Sequence, residues 1–458
     1  MKRGILKLSD MEPLSPVAHE DSLQRRLAAL VASRGVGLQI GSDVLHAAGE
    51  ILSQWLPPGL WVLVCDSQTW RVAGKRLHQH LSGDVQVLRL SPRVGHTQVT
   101  AGDQEVSMLR SDLQQQRVSG AIAVGSGTIN DLTRAACDEL DLPYVVVPTA
   151  PSMNGYLSAS VALLVEGVKT THPCRAPRGC LVDGDVLAAA PATMRGAGYG
   201  DLRSRATSCA DWALSHILTG TPFVPDALNL VGDADEMIEG IGPALARAEA
   251  PATIRLMGGL LLSGLAMDVA GTSAPSSGAE HLVSHYLDME HYAWGASHDL
   301  HGRQVAVATI TIAHLYERLL EVDRPRLEID KLARQAPWSA DSNHISQSFG
   351  PLWTAVQPTA RLGDNLSNHQ IVERLRRFAT TEHLTLVKDQ LIPASVLRRS
   401  LAEAGAPVTF GELGVDRARA RRAIVQARHI RARYTILDLA AELGCLETWA
   451  DEALELSA

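Results

Sequence analysis

The sequence predicts an α/β N-terminal domain, built as a parallel sheet with flanking helices, followed by an all-α C-terminal domain. Three observations carry this reading. Short β-branched runs alternate with amphipathic segments through the first third of the chain. From Ala188 the strand signal gives way to helical periodicity, interrupted by Gly and Pro, down to the end. At 458 residues the chain exceeds one core, because single cores stop growing at roughly 250–300 residues. The expected divisions are an N-terminal helical arm over 1–35, the α/β domain over 36–187 and the helical domain over 188–458.

Each element follows from local pattern. "VGLQI" reads as a strand and "SDVLHAAGEILSQW" as a helix opened by a Ser or Asp cap. "LWVLVCD" and "DVQVLRL" are strands, with a helix through "WRVAGKRLHQHL" between them, and "DQEVSMLRSDLQQQ" is the next helix. "GAIAVGSG" is a strand running into a glycine turn, with a helix from Thr128 and then the strand "PYVVVPTA". Strands alternating with helices in this way form βαβ units, whose ligands bind at the carboxyl ends of the strands. Residues 158–187 read as short strands joined by turns.

Composition excludes some partners. A net charge of −8 and 4% aromatic residues leave little for a nucleic-acid face, so no nucleic acid is expected. The six cysteines form no C-x-x-C pair, which fits thiols in a cytoplasm. The basic start "MKRGILKLSDMEPLSP" lacks the apolar run of a signal peptide. The most apolar stretch, "LMGGLLLSGLAM" at 256–267, reads as too short for a membrane span. A cytoplasmic protein is expected.

Three groups of residues carry chemistry. In "AIAVGSGTIND", Gly125, Ser126 and Gly127 bring a strand into a helix starting at Thr128, with Asp131 following. Such a turn cradles a pyrophosphate, although a plain strand-to-helix turn has the same pattern. Asp66, ending "WVLVCD", suits the hydroxyls of an adenosine ribose and favours NAD over NADP; it equally suits an N-cap. Arg71 and Lys75 on the next helix leave NADP open. The loop "VPTAPSMNGYLSAS" offers Thr149, Ser152, Asn154 and Ser158 to a nicotinamide or a substrate.

The third group is a candidate metal site. Asp201 reads as lying at a helix start, while His281, His285, His291, His298 and His301 crowd into 21 residues. His281 and His285 share a helix face. One carboxylate with two imidazoles suits a catalytic divalent metal, with zinc, nickel and iron all accepting the set.

Together "GSGTIND", "PTAPSMNGY", "GYGD", "SGAEHLVSH" and "HGRQVAVAT" resemble the sn-glycerol-1-phosphate dehydrogenases. That family sits in the iron-containing alcohol dehydrogenase and dehydroquinate synthase-like superfamily. The resemblance implies a dehydroquinate synthase-like fold with NAD or NADP in the first domain and a metal held by Asp201, His281 and His301. Arg205 stands where four-ligand iron enzymes of the superfamily have a further histidine, which implies a three-ligand site. Cofactor contacts fall on Gly125, Gly127, Thr128, Asp131, Thr149, Ser152 and Ser158.

The sequence departs from the family at two positions. Asn154 replaces an aspartate of the substrate loop, and Ala274 replaces an arginine before the "PxSG" segment. If that arginine binds phosphate, Lys169 is the candidate for the missing charge, against its reading as an ordinary turn lysine. The implied reaction is reversible NAD(P)H-dependent reduction of dihydroxyacetone phosphate to sn-glycerol 1-phosphate, or of a close hydroxyketone to its alcohol. His285 is the proton-transfer candidate. Alternatives are a dehydroquinate-synthase-like cyclase that recycles NAD, and a non-catalytic nucleotide-binding relative. A homodimer is a further expectation from the family.

Overall fold

The β-branched runs form strands β1 (Gly37–Gly41), β2 (Trp61–Asp66), β3 (Val85–Leu90), β4 (Gly120–Gly125) and β5 (Tyr144–Pro148). In residues 158–187, β6 (Ser160–Val165) and β7 (Val168–Pro173) form an antiparallel hairpin, and β8 (Gly179–Asp183) returns to the main sheet. The computed structural model describes residues 25, 27–93, 98–165, 168–335, 342–360, 368–382 and 384–456. Much of the expected N-terminal arm lies outside them; residues 27–32 of it are helical.

Six strands make one wholly parallel sheet in the order β1-β8-β5-β4-β2-β3. Helices α1 (Ala48–Trp55), α2 (Asp103–Gln116) and α3 (Gly127–Glu139) belong to its connections. Val62, Leu63, Val64, Ile122, Val124, Val145 and Val147 are fully buried, as central strands of a sheet covered on both faces must be. From β2 the chain steps outward to β3, whereas from β4 it steps the other way to β5. This reversal is the topological switch point, where doubly wound sheets bind ligands beyond the strand ends. Asp66 ends β2 and Gly125 ends β4, on either side of it.

The helix before β2 is not capped as its sequence predicts. Asp43 has a left-handed backbone (φ 51°) and makes no side-chain cap bond. Instead the N–H of Leu45 donates to Asp183 (3.3 Å), the last residue of β8, and that of Asp43 to Asp185 (3.0 Å), in the helical turn that follows it. A long-range partner therefore replaces the local one.

After β8 the described residues are helical or irregular. The main helices are α4 (Ala192–Arg203), α5 (Arg205–Thr219), α6 (Ala250–Ala270), α7 (Ala279–Trp294), α8 (His301–Leu320), α9 (Arg417–Gln426), α10 (Ile436–Glu442) and α11 (Leu446–Glu455). Contacts divide the chain into two units: one runs to Gly198 and includes Asn229–Asp268, the other holds Tyr199–Leu228 and everything from Val269. The apolar stretch at 256–267 lies within α6, whose 21 residues are enough to cross a bilayer by length and composition. The sequence reading had only the core of that helix. In the fold, 78% of its most apolar window is buried.

Candidate active site

Asp201, His281 and His301 meet in the second unit, their ligand atoms all within 4.8 Å of one another. Asp201 lies in the last turn of α4 rather than at a helix start. The glycines before it mimic a break in sequence, but they serve close packing instead. A Cβ on Gly200 would stand 2.6 Å from the Gly302 carbonyl and from Ala306. Its absence lets α4 approach α8 where His301 begins. On α7, a Cβ on Gly278 would stand 2.6 Å from an Asp211 oxygen, which accepts the Ala279 N–H (2.7 Å) and seats the start of the helix.

Both imidazoles are oriented from behind. His281 donates from Nδ1 to Glu280 (2.8 Å) and presents Nε2 to Asp201 (3.2 Å). Ser284 donates to Gln304 (2.8 Å), so its hydroxyl accepts from His301 Nδ1 (3.0 Å). Each ring thereby keeps Nε2 as its ligand atom, the usual arrangement behind metal-bound histidine. Burial pushes Glu280 up, but bonds from His281, Thr207 and the Gly278 N–H together hold it below its ordinary value. Burial disfavours the His281 cation, yet the hydrogen bonds to Asp201 and Glu280 raise it to about 9. That is the electrostatics of a cation site, in which a divalent ion displaces the proton. The donor set fits a divalent metal.

Of the remaining histidines, the structure brings in one. His285 is buried and stacks on His301, with centroids 5.6 Å apart and planes at 18°. His291 and His298 pair with each other instead (4.7 Å), and His298 contacts Asp288 (3.2 Å). The sequence reading missed Glu280, Ser284 and Gln304. Glu280 directly precedes a ligand histidine, the one signal that was available.

The residues expected to bind a nucleotide lie in the first unit. Helix α3 opens at Ser126, whose side chain makes no cap bond and turns to Ser152 and to Tyr156 (3.1 Å). The first N–H groups of α3 therefore stay available to an anion. Gly125 and Gly127 are not equivalent. A Cβ on Gly125 would meet Ile129 at 2.5 Å, whereas one on Gly127 would make only ordinary contact with Met153 at 3.4 Å. Packing explains the first glycine and does not explain the second.

Asp66 is an N-cap: its Oδ1 accepts from Gln68 and Thr69, and Thr69 completes a capping box. This leaves Oδ2 for a ribose hydroxyl. The Thr149 N–H bonds the Gly125 carbonyl (3.2 Å), which ties the loop to the glycine turn. Two further glycines seat that loop, since a Cβ on Gly198 would stand 1.7 Å from the Pro151 carbonyl and one on Gly264 2.7 Å from that of Asn154. Arg134, buried on α3, donates to the carbonyls of Gly155, Tyr156 and Ser160 and to Tyr144. It clasps the loop, and the sequence reading missed it. Ser158 is buried and held to Ser160. Burial raises Asp131 to about 6, against the opposing charges of Arg134 and Lys169.

The family model for iron-containing alcohol dehydrogenase matches residues 39–191. Glycerol-1-phosphate dehydrogenase, NAD(P)+, of Bacillus subtilis is 37% identical over 309 residues, 67% of this chain and 77% of that protein. The chain belongs to the glycerol-1-phosphate dehydrogenase branch of the iron-containing alcohol dehydrogenase family. A second member of that branch, from Bacillus velezensis, is 29% identical over 89% of this chain and 93% of its own. Among solved structures, a probable glycerol dehydrogenase from Sinorhizobium meliloti has the same fold (TM-score 0.61, 16% identity, 92% of this chain and 96% of that one). The family is NAD(P)-dependent and metal-containing, and the two residue groups above are those that fit these ligands.

Proposed function

We propose that this protein catalyses reversible NAD(P)H-dependent reduction of dihydroxyacetone phosphate to sn-glycerol 1-phosphate. The observation that carries the reading is the Asp201, His281 and His301 set with its orienting Glu280 and Ser284. Relatives named glycerol-1-phosphate dehydrogenase, matched over 77% and 93% of their own length, support the substrate.

Asp201, His281 and His301 would hold one divalent metal, with zinc, nickel and iron as candidates for three such ligands. A metal held there would supply Lewis-acid stabilisation of charge developing on a substrate oxygen, on the order of several kcal/mol, and a dinucleotide would supply the hydride. In the first unit, the N–H groups opening α3 bind the pyrophosphate. Asp66 Oδ2 accepts from the ribose, which favours NAD. Ser152 and Asn154, on a loop fixed by Arg134, orient the nicotinamide and the substrate hydroxyl. In the second unit, His285 transfers the proton that completes or begins the reaction at the substrate oxygen.

The test is NADH and NADPH oxidation by purified protein with dihydroxyacetone phosphate and, separately, with dihydroxyacetone, alongside elemental analysis. The expected outcome is turnover of the phosphorylated ketone with about one equivalent of metal per chain, both lost in Asp201→Ala. Bound metal without oxidation of either nucleotide would overturn the reading.

A further inference from the structure

The loop that follows β5 carries a tyrosine that the reaction above does not use. Tyr156 is fully buried. Arg134 of α3 donates to its carbonyl (2.7 Å) and to that of Gly155 (2.7 Å), so the helix fixes the backbone from which this side chain projects. The ring turns back to the start of the same helix, where its hydroxyl lies 3.1 Å from that of Ser126.

The direction of each bond in this group follows from its one fixed acceptor. The Tyr156 hydroxyl donates to the Ala150 carbonyl (2.5 Å). Burial pushes the phenol up to about 12, against hydrogen bonds with Ser126 and Ser152, so it keeps its proton at neutral pH. With its single hydrogen committed, Tyr156 is left to accept from Ser126. The Ser126 hydroxyl, having donated to Tyr156, accepts in turn from Ser152. Running from Ser152 through Ser126 and Tyr156 to Ala150, the chain satisfies every hydroxyl hydrogen in it.

Ser126 stands at the N-cap of α3 with the extended backbone usual for that position (φ −98°, ψ −154°). A serine there ordinarily accepts from the second or third N–H of its helix. Ser126 makes no such bond. Residue type and backbone both suit a cap, and the two hydroxyl partners account for its absence. The consequence is chemical as well as structural. A cap and an anion compete for the same N–H groups, and a capping oxygen sets partial negative charge where a phosphate would approach.

We propose that Tyr156 is a positioning residue for the dinucleotide. By holding the Ser126 hydroxyl it keeps that side chain from capping α3 and leaves the helix N–H groups to the pyrophosphate. This inference rests on the dinucleotide reading given above.

The experiment is calorimetric titration of full-length, metal-loaded protein with NADH and with NADPH, comparing Tyr156→Phe in two backgrounds. With Ser126 present, Tyr156→Phe releases the hydroxyl. It should raise Kd for the tighter nucleotide roughly fivefold, the competing strength of one cap at about 1 kcal/mol. With Ser126→Ala no side chain can cap, and adding Tyr156→Phe should change Kd by no more than about twofold. The Tm of nucleotide-free protein gives a second readout. Tyr156→Phe strips the donor from the buried Ala150 carbonyl in both backgrounds, but should lower Tm less where Ser126 is free to cap. Should Tyr156→Phe fail to fold, Ser126→Asn carries the test. It puts a strong cap in place with Tyr156 intact, and is expected to raise both Tm and Kd. Equal loss of affinity in both backgrounds would mean that Tyr156 acts through Ala150 and the loop, and overturns the proposal. So does an unchanged Kd in Tyr156→Phe or in Ser126→Asn. Wild type that binds neither nucleotide overturns the dinucleotide reading, and this inference with it. Wild type that binds while Tyr156→Phe changes nothing overturns this inference alone.

Discussion

His281 donates to Glu280 from one ring nitrogen and faces Asp201 with the other, at 2.8 and 3.2 Å. Glu280 therefore sets which nitrogen faces Asp201 and how basic it is, and would do so for a metal held there. Glu280→Gln keeps the shape and removes the charge. It should weaken metal binding by roughly 10–100-fold, as outer partners of metal-bound histidines do. Competition with a chelator measures this, and excess metal should restore most NADH oxidation. Unchanged affinity would remove Glu280 from the metal centre.

His285 stacks on His301 at 5.6 Å and does not belong to the ligand set. His285→Asn should lower kcat by about 10²–10⁴, the usual contribution of a positioned acid–base group. Metal content, measured on the same preparation, should stay at the wild-type level. Parallel loss of metal would make the residue a structural support instead.

The strands, the glycine turn and the candidate metal-binding residues were legible in the sequence because each rests on residue type and local order. Asp201, His281 and His301 are recognisable wherever the chain takes them. What stayed hidden depends on contacts across the chain. Glu280 acts on its own sequence neighbour, an arrangement that helix spacing rules do not anticipate. Arg134 is 1% exposed, and no pattern marks an arginine that folds inward to hold loop carbonyls. Gly198 and Gly200 read as breaks because their use, close approach by Pro151 and by Gly302, appears only in three dimensions.

The Arg134 clasp should matter for both stability and cofactor binding. Arg134→Met leaves three loop carbonyls and the Tyr144 hydroxyl without their donor. The expected cost is on the order of 3 kcal/mol in chemical unfolding. KM for the dinucleotide should rise in whatever protein remains folded, because the 149–160 loop loses its anchor. A wild-type unfolding curve would show that the clasp contributes nothing net.

Asp211 gives the fold a pH dependence whose sign is fixed. Burial, and then the Glu280 charge, raise its carboxyl from 3.8 to about 7. A carboxyl raised on folding binds its proton more tightly in the native state. Its contribution is therefore full below about pH 4 and is lost as pH climbs toward 7. Asp211→Asn cannot titrate, so the difference in unfolding free energy between wild type and variant should drift against wild type between pH 4 and 7. A pH-independent difference would place the Asp211 titration elsewhere.

Gly125 and Gly127 should separate packing from cofactor binding within one turn. At Gly125 an added methyl meets the Ile129 Cβ at 2.5 Å, on a backbone element that cannot yield, so Gly125→Ala should unfold at markedly lower temperature. At Gly127 the nearest atom is a flexible methionine carbon at 3.4 Å, and Gly127→Ala should melt like wild type. Its defect should appear only with the dinucleotide, as a rise in KM for NADH of about tenfold or more, since the methyl stands where a pyrophosphate approaches the α3 N–H groups. Equal KM values for wild type and Gly127→Ala would mean that the turn serves the fold alone. Equal melting losses at both glycines would mean the same, because the distinction between them rests on which one the protein's own atoms already explain.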